Sequence, residues 1–203
     1  MSRKPRLEYA GAVYHVMNRG NQQQRIFLTD EDRKCFLETL GEVCERSGWI
    51  VHAYVLMGNH YHLLLETPEP NLVTGMQWLQ GTYCKRFNVT HRKWGHLFQG
   101  RYKAIPVGED GEYVLAVANY IHLNPVRMKG YDFTSQKIGT YEWSSYPFYV
   151  QRRGRPAWLR VDRILDGLNL TDTSAGRRRY ADYMAKRILG VQHAEKPWEA
   201  DVQ

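Results

Sequence analysis

Cysteine is scarce in this chain of 203 residues: there are three, Cys35, Cys44 and Cys84, widely spaced and odd in number. No C-x-x-C pair occurs, so neither a zinc ribbon nor a disulfide framework is indicated. Buried thiols are expected at all three positions, with Cys44 on the apolar face of its helix. Long apolar runs are missing too, and no stretch approaches the roughly 20 residues of a membrane span. The N-terminus, MSRKPRLEYAG, is basic but lacks the apolar centre of a signal peptide. Internal repeats and low-complexity segments are absent. Together these absences predict a reducing, cytoplasmic setting without membrane contact.

What the chain does have is apolar and basic. Hydrophobic residues make up 43%, with 6 Trp and 14 Tyr, enough for a real core. The length fits one domain with an extension. Net charge is +7, and residues 151–203 hold 11 Lys/Arg against 7 Asp/Glu, so the tail is the more basic part. A basic balance of this kind suggests a polyanion as partner.

Hydrophobic period places the elements. Ala12 to Asn18 reads as a strand, with Val13 and His15 facing opposite to Tyr14 and Val16. A polar loop, Arg19 to Arg25, follows. Thr29 with Asp32 three residues later resembles a capping box, Phe36, Leu37, Leu40, Val43 and Cys44 form a helical stripe, and Gly48 stops it. Trp49 to Met57 is a second strand, and Gly58-Asn59 closes a tight hairpin, since glycine tolerates positive φ. The third strand starts at His60. Asn71 is placed to cap a helix carrying Leu72, Met76, Leu79, Tyr83 and Phe87, which ends near residues 88–90. A short strand over Tyr102 to Val107 and a helix over Glu112 to Leu123 come next, stopped by Pro125. The order β-α-β-β-α-β-α predicts an α+β fold: a ferredoxin-like antiparallel sheet with helices on one face, followed by a C-terminal helical extension. Residues 131–150 read as an aromatic loop over the core. QRRGRP at 151–156 marks a boundary, giving a catalytic unit over 1–150 and a basic helical extension over 151–203. Within the extension a short helix carries Val161, Ile164, Leu165 and Leu168. A longer one runs from Ser174 to a stop at Gly190.

The chemistry concentrates in two stretches. In GNHYHLLLE, from Gly58 to Glu66, strand alternation puts His60 and His62 on one face, about 7 Å apart by strand rise. Two such imidazoles can converge on one ion, or can be partly buried histidines bonded locally. In NYIHLNP, from Asn119 to Pro125, Tyr120 and Asn124 are four apart and so share a helix face. His60, His62 and the Asn124 side-chain oxygen would give three ligands to a divalent ion with positions left for substrate. The ion would polarise a phosphodiester oxygen, and Tyr120, its phenolate favoured by a nearby cation, would attack. The diester bond is then exchanged rather than hydrolysed, and can be rejoined without ATP.

These blocks resemble the REP-associated tyrosine transposases, relatives of the single-tyrosine His-hydrophobe-His (IS200-like) transposases. The similarity rests on VYHVMNRGN (13–21), AYVLMGNHYHLLLE (53–66), WGHLFQGRYKAIPV (94–107), YIHLNPVR (120–127) and YEWSSYPFY (141–149), in the family's order over about residues 1–150. The resemblance implies His60, His62 and Asn124 as metal ligands, Tyr120 as nucleophile, and the ferredoxin-like fold. It implies Mg²⁺ or Mn²⁺ and an endonuclease and strand transferase on single-stranded DNA with REP-type hairpins. Cutting would leave a 5′-phosphotyrosine and a free 3′-hydroxyl, the chemistry of DNA transposition and recombination. The imidazoles favour Mn²⁺ somewhat. One departure is visible: the family's Met-Pro-Asn before the first histidine is here Met57-Gly58-Asn59.

DNA contacts are expected from cations interleaved with rings, which suit single strands. Lys85, Arg86 and the stretch from His91 to Lys103, with Trp94, Phe98 and Tyr102, have this character. Arg101 and Lys103 are the foremost phosphate contacts, followed by Arg19 and Arg25 and by the run Arg177, Arg178, Arg179, which opens a helix where a phosphate would offset like charge against the dipole. The resemblance to the REP-associated branch implies a monomer, with a dimer left open, nucleoid-associated in the cytoplasm. Two other readings stay open: a domesticated hairpin-binding protein with no strand transfer, and a metal phosphohydrolase in which Tyr120 is structural.

Overall fold

Strand alternation is where the tertiary structure starts. In the computed structural model, which describes residues 6–108, 111–128 and 138–192, strands β1 (Ala12–Arg19), β2 (Ile50–Leu56), β3 (His60–Thr67) and β4 (Lys103–Val107) form one antiparallel sheet. Their spatial order, β2-β3-β1-β4, is that of the ferredoxin-like arrangement expected from the sequence. Ala12, Tyr14 and Val16 of β1 and Tyr61, Leu63 and Leu65 of β3 face one side. There they pack under α1 (Asp30–Ser47) and α2 (Leu72–Thr90), the two helices of the βαββαβ unit.

The capping box at Thr29 forms as expected: Asp32 N–H donates to Thr29 Oγ1, and Asp32 Oδ2 accepts from Thr29 N–H at 2.9 Å. Asn71 begins α2 but does not cap it with its side chain. Its amide is taken by Trp49 Nε1 at 2.7 Å and the Ser47 carbonyl at 2.9 Å, and Glu8 accepts the Val73 N–H in its place. Gly75 lets α2 lie on the Trp49 ring, where a Cβ would stand 2.1 Å from a ring carbon. The hairpin link also differs from expectation. Gly58 lies outside the left-handed region, and the turn is held from outside: the Gly58 carbonyl accepts from Ile26 and Phe27 N–H, and the Asn59 carbonyl from Gly20 N–H. Of the cysteines, Cys44 is buried, whereas Cys35 and Cys84 are half-buried.

The other sheet face carries a second core beneath α3 (Gly111–Leu123), α4 (Tyr146–Val150), α5 (Asp162–Asp166) and α6 (Ser174–Gln192). The stretch expected as a loop over the core thus contains a short helix where it is described; residues 129–137 lie outside the described residues. It closes the β2 edge, because Leu56 N–H donates to the Trp143 carbonyl and Ser145 N–H to that of Tyr54. A buried network then locks α6 to α3. His122 bonds Tyr180 Oη and Ser145 Oγ, both at 2.8 Å. One proton assignment satisfies every atom: Tyr180 O–H donates to Nδ1, Nε2–H donates to Ser145, and Ser145 donates to the Tyr54 carbonyl. Burial lowers the His122 pKa to about 3, so the ring is neutral in the fold.

Two outcomes follow from this packing. Gly75→Ala overpacks the Trp49 contact and should cost about 1–3 kcal/mol, whereas Gly81→Ala in the same helix meets nothing within 4 Å and should add about 0.5–1 kcal/mol; urea denaturation of both variants measures the difference. His122 has a folded pKa below its unfolded one, so its contribution is complete above pH about 6.5 and is lost as pH falls toward 3. A thermal midpoint followed over that range should decline, and the decline should be shallower in His122→Gln.

Candidate active site

Register brings three imidazoles together on the face that α3 partly covers. Arg19 pairs with His60, Met17 with His62 and His15 with Leu64, so Arg19, Met17 and His15 share the histidines' side of the sheet. The His60 and His62 rings lie 5.3 Å apart, on the same side as expected. His15 Nε2 and His62 Nδ1 are 3.0 Å apart and both side chains are buried. Burial lowers the His15 pKa to about 4 and pushes His62 well below the ordinary imidazole range, with His15 and His60 adding to the effect. His60 is lowered too, chiefly by burial, with the nearby Asn124 amide opposing and the Arg19 charge adding to the effect. All three rings are therefore neutral at pH 7, as a metal ligand must be.

Helix α3 delivers the second half. Tyr120 and Asn124 are one turn apart, with Asn124 opening the 3₁₀ turn Asn124–Arg127 that Pro125 imposes. The Tyr120 ring centroid lies 5.3 Å from that of His62 and 5.8 Å from that of His15. Asn124 Oδ1 comes within 3.4 Å of His60 Nε2, and the Arg127 guanidinium sits 4.9 Å from the Tyr120 ring centroid. Helix and sheet thus bring His60, His62, Tyr120 and Asn124 into one cluster.

The donor set can be tested against a divalent ion. Asn59 Nδ2 donates to the Gln23 carbonyl, so its Oδ1 faces His60 Nδ1 at 2.8 Å and accepts the hydrogen there. That leaves Nε2 as a bare lone pair facing the Asn124 oxygen, another acceptor, across 3.4 Å. Two acceptors at such a spacing match adjacent ligands on one ion with bonds of about 2.1 Å. If His62 Nδ1–H donates to His15, its Nε2 is likewise left for a ligand role. Among the described residues no group of three or more His, Cys, Asp or Glu side chains is arranged to hold a metal. The set that fits here is two imidazoles and an amide, without a carboxylate.

The cations expected at DNA are spread over the surface. Arg19 and Lys103 are exposed and lie on the histidine face, Lys103 opposite Met17. Arg101 is exposed just before β4, and Arg25 approaches the hairpin turn at Gly58. Lys85 is exposed on α2, whereas Arg86 is engaged by Glu42 at 2.8 Å and by Thr39. Arg177 is held by Asp172 at 2.8 Å, leaving Arg178 and Arg179 as the exposed pair of that run. Both engaged arginines have partners remote in sequence or across a turn, which charge patterning alone does not reveal. Two residues at the cluster were not picked out from the sequence. His15 was legible in principle, since the alternation of its strand sets it opposite Tyr14 and Val16. Arg127, seven residues after Tyr120, had no periodic signal pointing to it, because the helix ends between them.

Comparison with known proteins gives the fold and the family. Among solved structures, that of a REP-associated tyrosine transposase bound to a REP hairpin superposes with a TM-score of 0.59 at 20% identity, over 87% of this chain and 97% of that one, and so shares the fold. A putative transposase from Deinococcus radiodurans gives a TM-score of 0.41 at 21% identity, over 55% of this chain and 90% of the other. No curated protein matches. The family model described as "Transposase IS200 like" matches residues 8–124, a span that takes in all four strands, both histidines of β3, Tyr120 and Asn124. This chain belongs to the IS200-like transposase family.

Proposed function

We propose that the protein is a metal-dependent endonuclease and strand transferase for single-stranded DNA at REP-type hairpins, working through a 5′-phosphotyrosine on Tyr120. The observation that carries this reading is the placement of Tyr120 and Asn124, from one helix face, against His60 and His62 of the sheet. Mg²⁺ or Mn²⁺ held by His60, His62 and Asn124 would polarise the scissile phosphodiester and neutralise charge developing at phosphorus. Tyr120 gives up its phenol proton as Oη forms the new bond to phosphorus, the bond from phosphorus to the 3′-oxygen breaks, and that oxygen takes up a proton and leaves as a hydroxyl, so no net proton is gained or lost. Arg127, stacked against the Tyr120 ring, stabilises negative charge on the attacking phenol. Attack by a 3′-hydroxyl on the phosphotyrosine reverses these steps and joins strands.

The substrate path follows the open part of the histidine face. α3 packs over β2 and β3, while Lys103, Ile105 and Arg19 are exposed beside it. Arg19, Lys103 and Arg101 would bind phosphates there, with Lys85, Arg178 and Arg179 as more distant contacts. A hairpin as partner is supported by the structural neighbour, which is bound to one. We assign the chemistry to residues 1–150. Residues 151–203 are a basic extension, whose helix α6 braces α3 and which adds DNA affinity. A monomer fits the free edge of the sheet, where Pro106 of β4 lacks the N–H needed for strand addition. Action at the nucleoid in the cytoplasm goes with this reading; among the described residues no helix is long and apolar enough to cross a membrane. One observation favours a second reading, a hairpin-binding protein with little or no cleavage: the candidate ligand set has no carboxylate and so attracts a cation weakly.

Labelled single strands carrying REP palindromes separate the two. With Mn²⁺ and wild-type protein, label should migrate with the protein on a denaturing gel, and it should stay behind in EDTA. Tyr120→Phe should remove the adduct completely while weakening hairpin affinity by no more than about tenfold, because a phenol hydroxyl contributes at most on the order of one hydrogen bond to binding. An adduct that persists in Tyr120→Phe sinks the nucleophile assignment. A native-gel shift with no adduct under any divalent ion supports the binding protein instead.

A further inference from the structure

We propose that Trp94 is a stacking platform for an unpaired DNA base, built at the end of the sheet that carries His60. The proposal rests on the single-strand reading above and names the ring that meets the strand. Three aromatics in the stretch between α2 and β4 were candidates for that role, and the structure separates them. Phe98 packs on Tyr61 and Tyr83, and Tyr102 is 7% exposed with the Arg6 guanidinium over its ring. Trp94 is 89% exposed, whereas the other tryptophans among the described residues are buried or half-buried.

Exposure alone means little, since single apolar side chains on surfaces are common. The loop beneath Trp94 is what distinguishes it. Lys93 N–H donates to the Asn88 carbonyl at 2.8 Å, and Asn88 Nδ2 donates to the Gly95 carbonyl at 3.2 Å, so α2 grips the backbone on both sides of the ring. Arg92 and Gly95 adopt positive φ, 51° and 94°, to make that tight path. His91, at the loop's start, is fastened to Asp32 of α1 at 2.7 Å. A loop backbone held in place loses little freedom when a base stacks on the ring it carries.

Position and charge choose the occupant. Asn21 N–H donates to the Leu97 carbonyl and Gln99 N–H to that of Arg19, which ties the loop to the end of β1. Gly20 N–H in turn donates to the Asn59 carbonyl, beside His60. The loop and the histidines therefore share one end of the sheet. Arg92, Lys93 and His96 flank the ring and are exposed, and no acidic side chain lines the recess beside it. A π-face beside Arg92 and Lys93 fits a base and its phosphates. Bases in a duplex are already stacked, so the ligand is a single strand.

The test is fluorescence anisotropy with a labelled oligo-dT and a blunt duplex of equal length, on the full chain, at two salt concentrations. Trp94→Ala should weaken oligo-dT binding by about 5- to 100-fold, by the same factor at both salts, because stacking releases no counterions. Trp94→Phe should recover most of the loss, and duplex binding should be unchanged. Arg92→Ala with Lys93→Ala should act differently, flattening the salt dependence. Unchanged oligo-dT affinity in Trp94→Ala overturns the proposal, as does an equal loss on the duplex. Failure of the wild-type chain to bind oligo-dT at all overturns the single-strand reading beneath it. Unchanged near-ultraviolet dichroism outside the indole bands, expected for so exposed a ring, confirms that the variant is folded.

Discussion

His15 and His62 meet at 3.0 Å across the two central strands, both closed off from water. A pair of imidazoles there must share one hydrogen between them, and neither ring is free to turn. The orientation of His62 is thus set by β1, a strand that contributes no ligand of its own. His60 is set differently, by Asn59 within the turn that precedes it. Both rings are fixed before any ion arrives, and the ion's coordination would inherit that geometry. What remains is to bring α3 to the right height above them.

That task falls to the second core. Tyr180 and Tyr183 of α6 bond His122 and Asn119, the residues two after and one before Tyr120. Ser145 holds the other side of His122 and is itself bonded to the β2 backbone at Tyr54. α3 is therefore pinned to the sheet and to α6 on both sides of the residue proposed to attack. Residues that read from sequence as a basic appendage take part in positioning the helix. Their charge is carried by the exposed Arg178 and Arg179, while the tyrosines of the same helix point inward. One helix can thus brace the site and face a polyanion.

Much of this was legible in the chain. Alternation alone put His60 and His62 together and set His15 opposite Tyr14. Helical spacing put Tyr120 over Asn124, and the order of elements predicted the sheet. What escaped the sequence were partners far away along it. Asn71 was expected to cap α2 but is claimed by Trp49 and Ser47, and Glu8 does the capping. Gly58 was expected to make its turn by positive φ, yet the turn is held by Gly20, Ile26 and Phe27. That arrangement also bears on the missing proline before Asn59: the turn draws its rigidity from neighbouring backbone rather than from the residue at its tip.

Sheet and helix together would make one divalent-ion site. Electron spin echo spectroscopy of Mn²⁺ bound to the protein, without DNA, tests it most directly, because nitrogen ligands modulate the echo in proportion to their number. Two imidazole nitrogens should modulate the echo, reduced to one in His60→Ala or His62→Ala. In Asn124→Ala the two-nitrogen modulation should be retained while Mn²⁺ affinity falls by roughly tenfold or more. Bound Mn²⁺ with no nitrogen modulation, or modulation indifferent to both histidine substitutions, would place the ion elsewhere and rule out His60 and His62 as its ligands.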